Sequence, residues 1–462
     1  MQMHSPSPTH QWNIHMASDN PFIPVQRKWY HAVGPGIITA CVVIGPGSIL
    51  SSSKVGADTG YTQLWVIAIA CVCMMAFMTM GARLGVVLED SPGDTITKLT
   101  GRWLAVSIGI GAFMISAAYQ FGNNLGVQSA FKALDVNENF TYALLVGFNA
   151  LSIAFLYLFK NMYKALEKLM MCFVGLMLIS FAYNLVTVKP NLGDLFSGFI
   201  PRDPKFDDLS IFALIGTTFV VTAAYFQAYL ARQKGWKEDD LKDGLVDARV
   251  GSVIMFLITI MLICTAAAAG LVGSELKSVE DVARGLEPTF GKSARVIFCL
   301  GLFAAAYSSF LVNSMIAGFI LSDGLGKGAS PEDRMPKALT TAVLLVGMLV
   351  AMASKGLGLS TVELIIIAQA VTVLASPIIG GVLLWLANRR DIMKDKVNGP
   401  FTNALGVIGI VILLCISADL ITRKLPGQLD KLLAKPTEVQ KPLADPVPKD
   451  DNQTTDLEKE NK

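Results

Sequence analysis

Residues Val42–Lys54 read VVIGPGSILSSSK, an apolar run interrupted by Gly45-Pro46-Gly47 and followed by four serines within six residues and then a lysine. Pro46 has no backbone N–H to donate, and the flanking glycines lower the cost of unwinding, so a helix passing through this stretch breaks here. A break exposes carbonyls at the end of one half-helix and N–H groups at the start of the next. Inside a bilayer such backbone is tolerated only where it lines a cavity or is buried in protein. A simple proline kink is the bland alternative, and the rest of the chain decides between the two.

Of 462 residues, 53% are apolar and 16% charged, and the mean hydropathy is +0.52. That composition excludes a soluble domain of ordinary make-up. A helix needs about 20 apolar residues to cross a hydrocarbon core about 30 Å thick. Eleven runs meet this need, near 31–55, 61–86, 103–131, 140–159, 166–188, 208–231, 249–272, 293–322, 338–354, 359–388 and 402–421. All are read as helices, because lipid offers no partner for unpaired backbone and the alternating pattern of a barrel is absent. The expected fold class is an all-α polytopic membrane protein.

The formal net charge of +2 matters less than its distribution. Lys and Arg cluster in alternate loops, at Arg27 and Lys28, Lys98 and Arg102, Lys160 and Lys164, Arg232 to Lys242, Lys327 to Lys337, and Arg389 to Lys396. This places the amino terminus in the cytoplasm of a cell-membrane protein and, after eleven spans, the carboxyl terminus outside. The polar start lacks an apolar core and cleavage site, so no removable signal peptide is expected. Three segments are expected: a polar cytoplasmic stretch 1–28, a transporter domain 29–422, and a charged, disordered tail 423–462. The seven cysteines lie in apolar runs and read as packing or lipid-facing residues. Cys71 and Cys73 point in different directions on a helix, which is poor geometry for a shared metal. No catalytic constellation or nucleotide loop is visible, so neither an enzyme nor a cofactor is expected.

The chain resembles the NRAMP divalent-metal transporters. The motifs that carry the likeness are GPGIITACVVIGPGSILSSSKVGA (Gly34–Ala57), GYTQLWV (Gly60–Val66), ARLG (Ala82–Gly85), YKALEKL (Tyr163–Leu169), ALIGTTF (Ala213–Phe219), GLFAAAYSSFLVNSMIAG (Gly301–Gly318) and IIAQAVTVLASPIIGG (Ile366–Gly381). They follow in order over about residues 30–420. The resemblance implies a LeuT-type fold: two inverted five-helix repeats, about 31–188 and 208–388, plus an eleventh helix at 402–421. It implies alternating access, with the first helix of each repeat interrupted at mid-membrane.

The departures are chemical. The family's metal site is Asp-Pro-Gly-Asn in the first helix and Met-Pro-His in the sixth. Here Gly45-Pro46-Gly47-Ser48 and, by alignment, Val220-Val221-Thr222 stand in those places. Carboxylate, thioether and imidazole are all missing, and these are the groups that bind manganese or iron directly. The four histidines, at 4, 10, 15 and 31, precede the transport path. The acidic positions of the family's proton route fall near Gln120 and Asn123, both neutral and on one helical face. Asn124 and Gln128 read instead as interhelical glue.

A site without negative charge, facing a half-helix N-terminus, favours an anion. The substrate-binding set is Gly45, Pro46, Gly47, Ser48, Ser51, Ser52, Val221, Thr222 and Gln369, and the polar pathway is Lys54, Gln120, Asn123 and Tyr225. Lys54 either faces inward and adds a positive field or snorkels to the outer surface. The leading expectation is a secondary transporter of a small anion, bicarbonate first and a small carboxylate second. The alternative is a divalent cation transporter in which backbone carbonyls, Ser48, Thr222 and Gln369 hold a largely hydrated ion, magnesium before manganese or iron. The third is a non-transporting receptor on the same scaffold. The expected partners are a small ionic substrate, with room for a coupling cation in symport, and the lipid bilayer. Nucleic acid is not expected, and the protein is read as a monomer.

Overall fold

The computed structural model describes residues 34–134, 136–159, 161–202, 208–269, 271, 276, 279–354, 361–424 and 426. The four histidines and nearly all of the two terminal segments lie outside these. Among the described residues regular structure is helical throughout. In chain order the α-helices are α1 (Pro35–Val43), α2 (Pro46–Thr59), α3 (Leu64–Val87), α4 (Pro92–Thr100), α5 (Arg102–Ala133), α6 (Glu138–Leu158) and α7 (Met162–Val188). There follow α8 (Leu192–Ser197), α9 (Leu209–Thr218), α10 (Val221–Lys234), α11 (Leu241–Ala268), α12 (Val279–Gly324), α13 (Arg334–Ala353), α14 (Thr361–Val371), α15 (Ser376–Ala387), α16 (Arg390–Met393) and α17 (Pro400–Asp419).

Ten of the described helical stretches are long and apolar enough to cross a bilayer, and the bent pair α1 and α2 makes an eleventh. Five spans run from α1 to α7 and five from α9 to α15, each set opening on an interrupted helix, and α17 stands apart.

Local chemistry sets several boundaries. Ser91 caps α4 by accepting from the Asp94 amide at 3.2 Å, with Pro92 in the first turn. Asn161 caps α7 through the Lys164 amide at 3.2 Å, and Asp208 caps α9 through the Ser210 amide at 2.8 Å. These side chains satisfy donors that have no partner inside a helix's first turn. Gly235 ends α10 with φ of 84°, a left-handed conformation that glycine adopts without strain.

Burial separates an inner set of spans from an outer one. In the most apolar window of the α9–α10 span 94% of residues are buried, against 33% for α6, α7, α13 and α17, so the former lies at the heart and the latter face lipid. The inner spans meet tightly: α5 packs on α12, and α3 on α10 and α11. Phe77 of α3 meets Phe219 edge-on at 5.2 Å between centroids.

The tenth span departs from the continuous helix expected over 359–388. Its helix stops at Val371 and resumes at Ser376. Thr372 donates its hydroxyl to the Gln369 carbonyl at 2.6 Å, and Pro377, in the first turn of α15, has no amide to continue the ladder. Among the described residues three spans are therefore interrupted.

Candidate functional site

The first interruption falls at Ile44 and Gly45. Ile44 ends α1 with φ −95° and ψ 79°, and Gly45 is extended, with φ −114° and ψ 177°. The α2 ladder then begins from the Gly45 carbonyl, which accepts from the Ile49 amide at 3.0 Å. Pro46 takes the first helical position, where its missing N–H costs nothing. The two half-helices bend by 58°. The second interruption falls at Phe219 (φ −99°, ψ 65°) and Val220 (φ −85°, ψ 85°), so Val221 and Thr222 open α10.

Small residues bring the polar groups of other helices onto these breaks. A Cβ on Gly45 would stand 2.6 Å from Ser309 Oγ of α12 and 3.0 Å from Asn123 Oδ1 of α5. A Cβ on Gly47 would stand 2.1 Å from Gln369 Nε2, and one on Gly122 2.6 Å from the same atom. Gly126 lets α5 close on Pro46, its notional Cβ 2.0 Å from that of the proline. Gln369, the last polar side chain before the tenth span breaks, thus meets α2 and α5 at once. Ser48, Ser51, Ser52, Thr222 and Gln369 are all buried.

Among the described residues, the hydroxyls of Ser48, Ser51, Ser52 and Thr222 and both amide atoms of Gln369 have no hydrogen-bond partner. A buried polar group left unpaired costs about 1–3 kcal/mol, so a cluster of them asks for a ligand or water. Asn313, one turn beyond Ser309 on α12, is likewise buried with both amide atoms unpartnered. The sequence reading passed over Ser309 and Asn313, although their spacing of four within an apolar helix puts them on one face.

The pathway residues have definite partners. Gln120 Nε2 donates to the Phe310 carbonyl at 2.5 Å, while Asn123 Nδ2 donates to Gln120 Oε1 at 3.2 Å and to Ser309 Oγ at 3.0 Å. Asn124 Oδ1 accepts from Asn149 Nδ2 at 2.8 Å, joining α5 to α6. Tyr225 lies on α10 with its ring 5.9 Å from that of Tyr229, whose hydroxyl donates to Asp323 Oδ2 at 2.6 Å. Lys54 forms an ion pair with Asp58 at 2.9 Å, both about a quarter exposed. Its charge is met one turn further along α2, away from the break.

A second polar cluster holds the start of α1. Asp247 of α11, fully buried, accepts from the amides of Gly34 at 2.7 Å and Gly36 at 2.5 Å. Gln227 of α10 donates to the same carboxylate at 3.1 Å and accepts from Thr39 at 2.5 Å. Nearby Lys234 pairs with Glu167 at 2.8 Å, and a Cβ on Gly34 would collide with both side chains. One carboxylate therefore ties the start of α1 to α10 and α11.

Among the described residues no three His, Cys, Asp or Glu side chains converge on a common point. The site offers neutral oxygens instead: hydroxyls, an amide and the last carbonyls of α1 and α9, which have no amide further along their own helices to pair with.

The sequence profile of the natural resistance-associated macrophage protein-like (Nramp) family matches residues 36–423. The divalent metal cation transporter MntH of Verminephrobacter eiseniae is 25% identical over 400 residues, covering 84% of this chain and 88% of that protein. The MntH of Deinococcus radiodurans is 25% identical over 412 residues, covering 87% and 92%. In three dimensions the chain is similar to the manganese transporter of Eremococcus coleocola, at a TM-score of 0.72 and 17% identity over 91% of this chain and 93% of that one. It is also similar to Mhp1, a nucleobase-cation-symport-1 transporter, at 0.55 and 15% over 87% and 91%. The all-helical LeuT-type architecture with an added helix is thereby established.

The anion expectation, bicarbonate or a small carboxylate, is overturned: relatives aligned along most of the chain are named as divalent metal cation transporters. The physical error lies in counting only half of each break. The N-terminus of α2 does present donors, but the C-terminus of α1 meets it with carbonyls of opposite partial charge. Serine and threonine hydroxyls accept as readily as they donate. Lys54, the only cation on α1 or α2, spends its charge on Asp58.

Proposed function

This chain belongs to the Nramp family of multi-pass membrane transporters, and on that premise we propose that it carries a divalent cation through a site made of neutral oxygens. The observation that supports this most is the set of unpartnered buried oxygens at the two breaks: Ser48, Thr222 and the Gln369 amide oxygen. Each can accept a hydrogen bond from cation-bound water or coordinate the ion directly.

The absence of carboxylate, thioether and imidazole from this set removes the soft and anionic ligands that favour manganese or iron. Magnesium, which gives up its water reluctantly and prefers oxygen, is the cargo that suits such donors. It would enter with much of its hydration shell, and the last carbonyls of α1 and α9 would complete its surroundings. Gln120, Asn123 and Tyr225 flank the passage. The loop charges favour a cytoplasmic amino terminus and an outer carboxyl terminus.

Uptake by the full-length protein in liposomes tests this with magnesium, manganese and labelled bicarbonate. Wild type is expected to take up magnesium and to leave bicarbonate outside. Gly45→Asp, paired with Ser309→Ala to make room, places a carboxylate at the break. An opposite charge about 4 Å away is worth about 4 kcal/mol at an effective dielectric near 20, so manganese uptake should rise steeply. Bicarbonate uptake by wild type without uptake of either cation would sink the proposal.

A further inference from the structure

Among the described residues only two charged side chains are buried, Asp247 and Asp323. A buried charge is costly unless hydrogen bonds surround it, and both carboxylates are surrounded in the same way. Asp247 accepts from the amides at the start of α1 and from Gln227. Asp323, the last residue but one of α12, accepts from the Gly93 amide at the start of α4 at 2.7 Å, from Ser91 Oγ at 2.5 Å and from the Tyr229 hydroxyl. Gln227 and Tyr229 both belong to α10. Two carboxylates therefore fasten this one half-helix to α1, α4, α11 and α12, and further along it Arg232 donates to the carbonyls of Leu88 and Glu89.

Ser91 and Tyr229 also form part of the wall of a cavity of about 440 Å³, together with Asn161, Tyr163, Gln233 and Ser330. Both amide atoms of Gln233 are buried there without a hydrogen-bond partner among the described residues, so this wall calls for water or a hydrated ligand. The loops that frame the cavity carry clusters of lysine and arginine, at the end of the molecule that such charges favour as cytoplasmic. One face of α10 leads from the second break to this cavity: Thr222, Tyr225 and Tyr229 follow at spacings of three and four. The helix rises about 10 Å over that stretch. The rings of Tyr225 and Tyr229 are both buried, 5.9 Å apart, and stand between the Thr222 hydroxyl and the cavity.

We propose that this cavity is the chamber through which a hydrated cation leaves the site, and that Tyr225 and Tyr229 close its roof for as long as Asp323 holds the Tyr229 hydroxyl. The proposal rests on the cation-transport reading above. The chamber is large enough: six waters at about 30 Å³ each take up about 180 Å³, so a divalent ion fits with its first shell intact. Asp323 is a positioning residue in this scheme. It touches no cargo and acts through the tyrosine, and the carboxylate that holds α10 also holds the start of α4, so the roof and the rim of the chamber are tied at one point.

The test follows the gate without any cargo. Full-length Thr222→Cys protein in detergent is treated with a small, permanently charged methanethiosulfonate, and modification at that position is followed by mass spectrometry, with the native Cys264, buried in α11, as the internal control. With the gate intact the reaction should be slow. Tyr229→Phe, which keeps the ring and loses the bond to Asp323, should speed it about ten-fold or more, because a hydrogen bond to a charged acceptor is removed. Asp323→Asn should act in the same direction. Adding Gln233→Trp, which fills the cavity from its wall, should slow the reaction again. No acceleration in either gate variant, acceleration that survives Gln233→Trp, or equal acceleration at Cys264, the sign of general loosening, would each overturn the proposal. Gel filtration confirms that each variant is folded before it is counted. Since no cargo takes part, labelling can fail while magnesium uptake succeeds, and failed uptake leaves the labelling result intact, so the two readings fall separately.

Discussion

Gly47 and Gln369 stand so close that a methyl group on the glycine would lie 2.1 Å from the glutamine's Nε2. The contact joins the first turn of α2 to the last turn of α14, two segments that precede or follow a break. It also aims an amide with no other partner at the site.

Gly47→Ala should therefore displace Gln369 rather than unfold the protein, because the crowded atoms belong to the far end of a flexible side chain. Transport should fall at least about ten-fold, the effect of some 1.4 kcal/mol at the site, with little change in thermal stability. Gln369→Ala combined with Gly47→Ala should then cost no more than Gln369→Ala alone. Additive losses measured by uptake would show that the two residues act separately.

Gly126→Ala is the contrasting case. The added methyl would lie 2.0 Å from Pro46 Cβ, on a ring that cannot rotate away. Overpacking of this kind costs about 1–3 kcal/mol, so the unfolding temperature in detergent should drop. Gly147→Ala on the lipid-facing α6, where nothing lies within 4 Å, should hold or raise that temperature, with a stability gain of up to about 1 kcal/mol. Equal unfolding temperatures for the two variants would contradict the close approach of α5 to the break.

Thr222→Val removes a buried hydroxyl without a partner and keeps the shape of the side chain. An unpaired hydroxyl of this kind costs about 1–3 kcal/mol, so the variant should be more stable than wild type. If the oxygen helps to hold the cation, uptake should fall in the same variant. Stability gained at the expense of activity is the pattern expected where a site stores strain for function. A rise in both, or a fall in both, would remove Thr222 from the site.

Asp247→Ala should release the start of α1. The amides of Gly34 and Gly36 lose a buried acceptor, each worth about 1–3 kcal/mol, and their hydrogen exchange should quicken about ten-fold or more. Asp247→Asn retains one acceptor oxygen and should fall between the two. Unchanged exchange at both amides would show that α1 is held from elsewhere.

Much of the architecture was legible in the sequence because it rests on local covalent facts. Pro46 lacks an amide whatever surrounds it, and runs of some 20 apolar residues admit little besides a membrane helix. The second break at Val220 was located by likeness of motif, since Val-Val-Thr itself carries no breaker. The third, at Thr372 to Ala375, went unread because the nearest glycine on the N-terminal side, Gly358, lies about four turns away and Pro377 follows only after the helix has stopped. Asp247 and Gln369 were the harder cases. Asp247 caps a helix start 211 residues away in sequence, and the aim of Gln369 at Gly47 exists only once α14 has packed. The cargo was misread for a related reason: the sign of the field at a break depends on both half-helices and on the Asp58 partner of Lys54.

That last pairing reaches beyond the site. Lys54 and Asp58 are the only charged residues in the bent span formed by α1 and α2, and they cancel 2.9 Å apart. Swinging this span between orientations consequently performs no electrical work of its own. Voltage acting across this span would therefore act through a bound ion and not through the span's own side chains, at about 2.3 kcal/mol per elementary charge per 100 mV. A doubly charged passenger would feel twice that pull, so a polarised membrane could drive accumulation without a companion ion.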